Sequence, residues 1–172
     1  MNIKLEPLSV ECTKKLFIFE KENRTFFETM VPSRGEDYYQ YDRFLQSLNE
    51  LLVEQERGEG NYFLIVNEVG VIVGRINLFN VRKHPSFSAD LGYRVGKKYL
   101  RRGIASISLE LLLGKVIVEH KKAEIRAKTT SHNIGSQKIL EKHQFVRRVV
   151  KEKGVELNGH LFDFLEYYWK NY

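Results

Sequence analysis

The chain has 172 residues, 42% of them hydrophobic and 29% charged. No apolar run approaches the ~20 residues that a membrane-spanning helix needs. These values predict one soluble globular domain over residues 1–172. The 28 Lys and Arg exceed the 22 Asp and Glu and leave a formal charge of +6. That excess is compatible with a nucleic acid, an anionic membrane or a phosphate-bearing cofactor, and also with solubility alone.

Targeting and redox features predict a cytoplasmic protein. The first six residues lack the apolar core and the small-residue cleavage site of a signal peptide. The single cysteine, Cys12, cannot form an intramolecular disulfide. The five histidines show no H-E-x-x-H pattern and no paired cysteines accompany them, so we expect no metal site.

Hydrophobic periodicity and turn residues predict an α/β chain with the element order β-α-α-β-β-β-α-β-α-β-β. The predicted elements are, in chain order, a strand over 3–8, a helix over 9–21, a loop over 26–34, a helix over 36–55, strands over 62–67, 71–81 and 86–95, a helix over 102–120, a strand over 123–129, a helix over 133–143, and strands over 145–151 and 161–169. The helix over 102–120 is apolar on two faces, which predicts burial between two layers.

The strand–helix–strand unit over residues 86–129 predicts where a ligand would bind. Such a unit is a right-handed crossover that joins two parallel strands. Mixed sheets of this kind bind ligands at the carboxyl ends of the strands, where the helix begins. Four basic residues, Lys97, Lys98, Arg101 and Arg102, cluster at this junction.

The same junction has the small residues that a phosphate-binding helix start requires. Unpaired N–H groups and the helix dipole place about half a positive charge there, and a phosphate or pyrophosphate fits that geometry. Gly103 and Ala105 leave the backbone open to close approach. No complete P-loop and no G-x-G-x-x-G motif occurs in the sequence. A tight strand-to-helix turn with solvated arginines is the alternative interpretation.

The stretch Arg101-Arg102-Gly103-Ile104-Ala105 resembles the (Q/R)-x-x-G-x-(G/A) acetyl-CoA motif of the GNAT family of N-acetyltransferases. The predicted element order is similar to that fold over nearly the whole chain. Residues that look like the RimJ/RimL branch, which acetylates N-terminal amines of ribosomal proteins, are Leu91-Gly92-Tyr93, Asn133 with Ser136, and Asn158-Gly159 followed by Asp163.

Two positions depart from the family pattern. Leu100 stands where the motif has Gln or Arg, but the glycine and the small residue are present. His143-Gln144-Phe145 replaces a usual Gly-Phe, which predicts a fourth helix without a left-handed glycine cap. Neither change removes a group that the chemistry needs.

The resemblance implies a mixed-sheet GNAT fold that binds acetyl-CoA, and no metal, at the central strand–helix junction. Backbone groups of Tyr93, Arg94 and Val95 would pair with the pantetheine arm as if it were another strand. The pyrophosphate would lie in a cradle formed by Arg101, Arg102, Gly103, Ile104, Ala105 and Ser106. Asn133 would hydrogen-bond the pantetheine arm, although asparagine at a helix start is also a favoured N-cap.

The resemblance also implies two catalytic residues. Ser136 would stabilise or protonate the departing thiolate. Asp90, which precedes Leu-Gly-Tyr, would accept the proton of the amine, a role that a water path could also fill. The alternatives are an exposed helix serine and a solvated strand aspartate. Since an α-amine has a pKa near 8 and a lysine one near 10.4, the α-amine needs less help from a base.

The leading hypothesis is acetyl transfer to the N-terminal α-amine of a protein, with ribosomal proteins as the expected acceptors, by a monomer or homodimer. One alternative is an enzyme of the same fold that acetylates a small amine such as a polyamine or an aminoglycoside. A different class is a non-catalytic module that binds nucleic acid. Only Tyr99 could stack on a base within the basic run, which argues against this class. We expect no membrane partner.

Overall fold

Residues 2–172 are described by a computed structural model, and they form seven strands and four α-helices. The strands are β1 (Ile3–Pro7), β2 (Asn61–Asn67), β3 (Ile72–Arg82), β4 (Phe87–Val95), β5 (Ala123–Thr130), β6 (Val146–Leu157) and β7 (His160–Lys170). The helices are α1 (Thr13–Phe27), α2 (Tyr41–Glu56), α3 (Ile104–Glu119) and α4 (Ile134–Lys142). This order confirms the predicted α/β class and the succession of elements.

Several boundaries differ from the predicted ones: α1 begins at Thr13 and not at residue 9, and α2 begins at Tyr41 and not at residue 36. Helix α1 continues past residue 21 to Phe27, because Phe19 and Phe27 both lie buried on its inner face. Helix α3 begins at Ile104 and not at residue 102, because Gly103 adopts a left-handed φ of 75° that ends the preceding turn. Strand β6 continues beyond residue 151 to Leu157 through a shift in its register against β7.

The side chains of each strand point alternately to the two faces of one sheet, so the core is divided into two clusters, one on each face. Leu64 and Val66 of β2 belong to the cluster that contains Leu16 of α1, so α1 and α2 cover this face. Ile65, between them in the strand, belongs to the cluster that contains Leu109 of α3. Because successive strand side chains point to opposite faces, the sheet is covered by α1 and α2 on one side and by α3 and α4 on the other.

Only one face of α3 is buried, so the predicted burial between two layers is wrong. Leu109 and Leu112 are at most 1% exposed, whereas Leu111 is 40% and Val118 is 87% exposed. Within residues 2–172 no further layer covers the outer face of this helix, which leaves its apolar residues in contact with solvent. In the same range no helix is long and apolar enough to cross a membrane.

The sheet opens between its two central parallel strands. Its strand order is β1-β2-β3-β4-β5-β7-β6, and only β4 and β5 pair in parallel. Their pairing runs from Phe87 with Ala123 to Leu91 with Ala127. Beyond it, β4 stays paired with β3 up to Val95, while β5 stays paired with β7. The two strands therefore diverge after Leu91 and form a fork at their carboxyl ends.

Candidate active site

Two cavities meet beside this fork. One, of about 570 Å³, lies against the first turns of α3 and α4, and we call it the cofactor cavity. The other, of about 520 Å³, lies between the sheet and the ends of α1 and α2, and we call it the acceptor cavity. The residues that line both are Met30, Val31, Tyr93, Arg94, Asn133 and Ser136. A molecule in either cavity would therefore contact the same short segments of β4 and α4.

The start of α3 forms an open cradle on the cofactor cavity. The first hydrogen bond of the helix runs from Ile107 N to Gly103 O at 2.9 Å. The N–H groups of Ile104, Ala105 and Ser106 precede it and have no helical carbonyl to bond. At Gly103 an added Cβ would meet only the tip of Ile107, at 3.9 Å. Free N–H groups beside open space fit a phosphate.

Most of the residues predicted for the pyrophosphate line this cavity. They are Arg101, Gly103, Ile104, Ala105 and Ser106. Arg102 does not line it, and its guanidinium lies 5.8 Å from the ring centre of Tyr99. The left-handed φ of 59° at Arg101 turns the chain between these two arginines. The side chain of Arg101 therefore lies at the cavity and that of Arg102 lies at Tyr99, although the two residues are adjacent in the sequence.

Lys142 is a cation at the cradle that the sequence analysis missed. Its Nζ donates to Ser106 Oγ at 3.1 Å, and this oxygen also lies 2.8 Å from His143 Nε2. Burial lowers the pKa of His143, so its neutral ring can accept the proton of the serine hydroxyl. Thirty-six positions separate Ser106 from Lys142. Only the packing of the end of α4 against the start of α3 brings them together.

The fork and Asn133 fit the expected place of the pantetheine arm. Residues 92–95 of β4 have no pairing with β5, so one edge of the strand is free for another extended chain. Asn133 lines both cavities and caps α4, its Oδ1 accepting the N–H of Ser136 at 3.1 Å. Asn133 is therefore the N-cap of α4, and its side-chain NH₂ group is not used in that bond and can donate to a ligand.

The hydroxyl groups of Tyr93 and Ser136 meet where the two cavities join. Their oxygen atoms lie 2.9 Å apart, and either can be the donor. Burial raises the pKa of Tyr93 to about 12, although the hydrogen bond with Ser136 acts in the opposite direction. Both groups are therefore protonated at neutral pH and can donate hydrogen bonds. The sequence analysis named Tyr93 only for its backbone and missed this hydroxyl.

Asp90 lies away from this pair. It lines a third cavity and neither of the two cavities at Ser136. Its carboxylate accepts two hydrogen bonds from Arg126, at 2.7 and 2.8 Å, and one from Asn80 at 2.8 Å. Burial opposes ionisation, but these bonds outweigh it and hold the pKa of Asp90 below its usual value. A carboxylate so engaged is a weak proton acceptor, which argues against the predicted role as base.

Glu54 is a carboxylate that no sequence motif marks. Among the described residues that line the acceptor cavity, it is the one acidic side chain. The hydroxyl of Tyr62 donates a hydrogen bond to Glu54 Oε2. Burial, together with this bond, raises the pKa of Tyr62, so the phenol stays protonated. Glu54 lies near the end of α2, far in sequence from the cofactor motif, and only the fold brings it here.

No group of three or more His, Cys, Asp or Glu side chains within residues 2–172 is placed to hold a metal ion. The cavities are instead lined by aromatic, hydroxyl and cationic groups together with exposed backbone. Such groups can bind phosphates and polarise or stabilise an acyl-transfer centre.

Known proteins share both the sequence pattern and the fold. Residues 3–146 match the sequence profile of the acetyltransferase (GNAT) domain. The probable N-acetyltransferase YjcK of Bacillus subtilis (strain 168) is 27% identical over 159 residues, which are 92% of this chain and 88% of that protein.

Two solved structures extend the comparison to the whole fold. The ribosomal-protein-S5-alanine acetyltransferase of Vibrio fischeri has a TM-score of 0.89 at 19% identity, covering 99% of this chain and 94% of its own. RimJ of Mycobacterium smegmatis, in complex with a CoA-disulfide, has a TM-score of 0.86 at 21% identity. The match covers 98% of this chain and 82% of the RimJ chain. These identities show the fold, and the domain match shows the family. The chain belongs to the GNAT family and is an acetyl-CoA-dependent N-acetyltransferase.

Proposed function

We propose that this enzyme acetylates the N-terminal α-amine of a peptide or protein, with ribosomal proteins as the expected acceptors. The observation that carries the proposal is the meeting of the cofactor and acceptor cavities at Tyr93 and Ser136. The likeness in fold to a ribosomal-protein acetyltransferase makes such proteins the first acceptors to test, although a spermidine/spermine N-acetyltransferase shares the fold. We place the enzyme in the cytoplasm, where the free thiol of Cys12 would stay reduced.

The residues of the cofactor cavity fit acetyl-CoA, which supplies the acetyl thioester when it is bound. The free N–H groups at the start of α3 and the cations of Arg101 and Lys142 would hold the pyrophosphate. The unpaired edge of β4 and the NH₂ group of Asn133 would hold the pantetheine arm. This arrangement would direct the thioester towards Ser136, which lies on the boundary between the cavities.

The Tyr93–Ser136 pair would act on the sulfur. As the amine attacks the carbonyl carbon, the C–S bond breaks and its electron pair leaves on sulfur. A thiol with an ordinary pKa near 8.5 is a stronger acid than Tyr93, whose pKa is about 12. The two hydroxyl groups therefore stabilise the thiolate by donating hydrogen bonds and keep their own protons.

The proton of the amine needs a separate path. At pH 7 roughly a tenth of an α-amine with a pKa near 8 is already neutral, so a strong base is unnecessary. We assign the role of proton acceptor to Glu54, the acidic side chain of the acceptor cavity, directly or through water. Asp90 does not have this role in the proposal, because it is engaged by Arg126.

The acceptor cavity favours a peptide over a polyamine. Arg34, Arg75, Arg94 and Lys128 line it, and Glu54 is the one carboxylate in the lining. Behind the lining, Glu20 pairs with Arg75 and Arg94, and Glu166 pairs with Lys128, so four cations against three carboxylates leave a net positive charge. Cationic walls repel a polycation and lower the pKa of a bound amine, which increases its neutral fraction. The fold by itself does not choose between acceptors, so the choice rests on these side chains.

Competition between acceptors tests the proposal. The acceptors are a lysine-free peptide with a free N-terminus, an N-terminally blocked peptide that contains lysine, and spermidine. We expect kcat/KM to be at least tenfold higher for the free N-terminus, and a thermal shift with acetyl-CoA verifies that the cofactor binds. A tenfold preference for spermidine, equivalent to about 1.4 kcal/mol, would overturn the acceptor assignment and leave the family assignment intact.

A further inference from the structure

Two arginines face each other across the strands that carry the active site. Arg75 of β3 and Arg94 of β4 are direct partners in the antiparallel register. Like charges in this position repel, so a counter-charge is needed. Glu20 of α1 provides it, accepting from Arg75 Nη1 at 2.9 Å and from Arg94 Nη1 at 3.2 Å. The side chains of Glu20 and Arg75 are 0% and 4% exposed.

This cluster carries excess positive charge. Burial opposes ionisation of Glu20, but the nearby arginines outweigh it and hold the pKa of this carboxyl below its usual value. Arg34 donates a hydrogen bond to the hydroxyl of Tyr38 at 2.7 Å. Its charge also lowers the pKa of Glu20, and it lines the acceptor cavity together with Arg75 and Arg94. Three guanidinium groups and one carboxylate leave a net charge of +2 on this wall of the acceptor cavity.

Two residues of the acceptor cavity carry buried polar atoms without a hydrogen-bond partner. Within residues 2–172, the two buried side-chain polar atoms that lack a hydrogen-bond partner are Arg75 Nε and Thr130 Oγ1. Both residues line the acceptor cavity. An unpaired buried polar group is unfavourable, and a bound water or ion is one of the explanations for such a group in a folded protein.

We propose that Arg34, Arg75 and Arg94 form a subsite for a carboxylate of the acceptor, so that the preferred acceptors are peptides with acidic residues close to a free N-terminus. The inference rests on the proposed function and names its substrate class. A carboxylate would neutralise part of the excess charge and accept charge-assisted hydrogen bonds from planar guanidinium donors. The amine of the same peptide would then lie towards the shared boundary at Ser136.

Paired peptides test the subsite. Two peptides of equal length begin with the same residue, are amidated at the carboxyl end, and differ only in Glu or Gln at the second and third positions. For each we would measure kcat/KM, and also binding by calorimetry to the protein saturated with CoA. The variant Arg34→Gln alters the exposed member of the subsite, and Arg148→Gln, which changes another exposed arginine, in β6, is the control.

We expect the acidic peptide to have at least tenfold higher kcat/KM and correspondingly tighter binding. Arg34→Gln should reduce this ratio at least threefold, and Arg148→Gln should preserve it. Equal values for the two peptides, or an unchanged ratio in Arg34→Gln, would overturn the subsite. If neither peptide were acetylated but the acidic one still bound tighter, the subsite would stand and the proposed function would fall. Absence of both transfer and binding preference would reject both.

Discussion

The hydroxyl oxygens of Tyr93 and Ser136 lie 2.9 Å apart, although 43 residues separate them in the chain. Tyr93 belongs to the part of β4 that has diverged from β5, and Ser136 lies in the first turn of α4. The pair therefore bridges the fork at the position where both cavities open. This contact makes the two hydroxyl groups one functional unit in the proposed reaction.

Removing either hydroxyl should slow the chemical step. We expect Tyr93→Phe and Ser136→Ala each to lower kcat about 10- to 100-fold with little change in KM for acetyl-CoA, because the donors act on the leaving sulfur. The double variant should be little slower than the worse single variant, since the groups act together. Tyr41→Phe, an exposed tyrosine at the start of α2, is the control. Wild-type kcat in both single variants would reject the role.

A branched side chain at the cradle should block the cofactor. Gly103→Val places a β-branched residue at a φ of 75° beside the free N–H groups of α3, and we expect acetyl-CoA affinity to fall more than tenfold. Gly70→Val is a matched control, because its φ is 78° and open space also surrounds it. It carries similar backbone strain far from the cavity. Calorimetry that found equal affinities in the two folded variants would contradict the cradle assignment.

Asp90→Asn should affect stability and not the acidic limb of the rate profile. Replacing the carboxylate weakens a partly exposed ion pair with Arg126, which we expect to cost about 1 kcal/mol at pH 7. Because the folded pKa of Asp90 is depressed, its stabilisation is present above the ordinary value near 3.9 and is lost as the pH falls through the folded value.

Urea denaturation at several pH values checks this sign. The stability difference between wild type and Asp90→Asn should be full at pH 7 and should shrink as the pH falls below about 4. A loss of activity in Asp90→Asn confined to the acidic side of the rate profile would instead restore Asp90 as the base.

Gln144→Gly should stabilise the protein. Helix α4 ends in a Schellman motif, with bonds from Phe145 N to Leu140 O and from Gln144 N to Glu141 O, both 3.0 Å. The left-handed cap is therefore retained although glycine is absent, and Gln144 adopts a φ of 65°. Because such a φ costs a residue with a Cβ roughly 1–2 kcal/mol, glycine should raise the free energy of unfolding by about 1 kcal/mol.

A helix-interior substitution provides the contrast for that measurement. Gln46→Gly, at an exposed position within α2, should lower the free energy of unfolding by roughly 1 kcal/mol. Denaturant unfolding of both variants separates the effect of the left-handed cap from a general effect of glycine. A destabilised Gln144→Gly variant would contradict the argument from backbone conformation.

The sequence by itself determined the succession of elements and located the cradle proposed for the cofactor. Both depend on local properties. Hydrophobic periodicity marks helices and strands over a few turns, and the break at Gly103 follows from a conformation that glycine adopts without strain. The family motif covers the same short stretch, so the location of the proposed cradle could be predicted without knowledge of distant contacts.

Only the tertiary structure decided which side chains work together. Ser106 meets Lys142, Tyr93 meets Ser136, and Asp90 is held by Arg126 because strand register and helix packing bring distant segments into contact. The outer face of α3 is exposed because no further layer covers it within residues 2–172. Periodicity shows that a residue is apolar or faces one side, but it does not show what lies opposite. For this reason the roles proposed for Tyr93 and Glu54, and the argument against Asp90 as the base, depend on the fold, whereas the proposed cradle at Gly103 could be located from the chain alone.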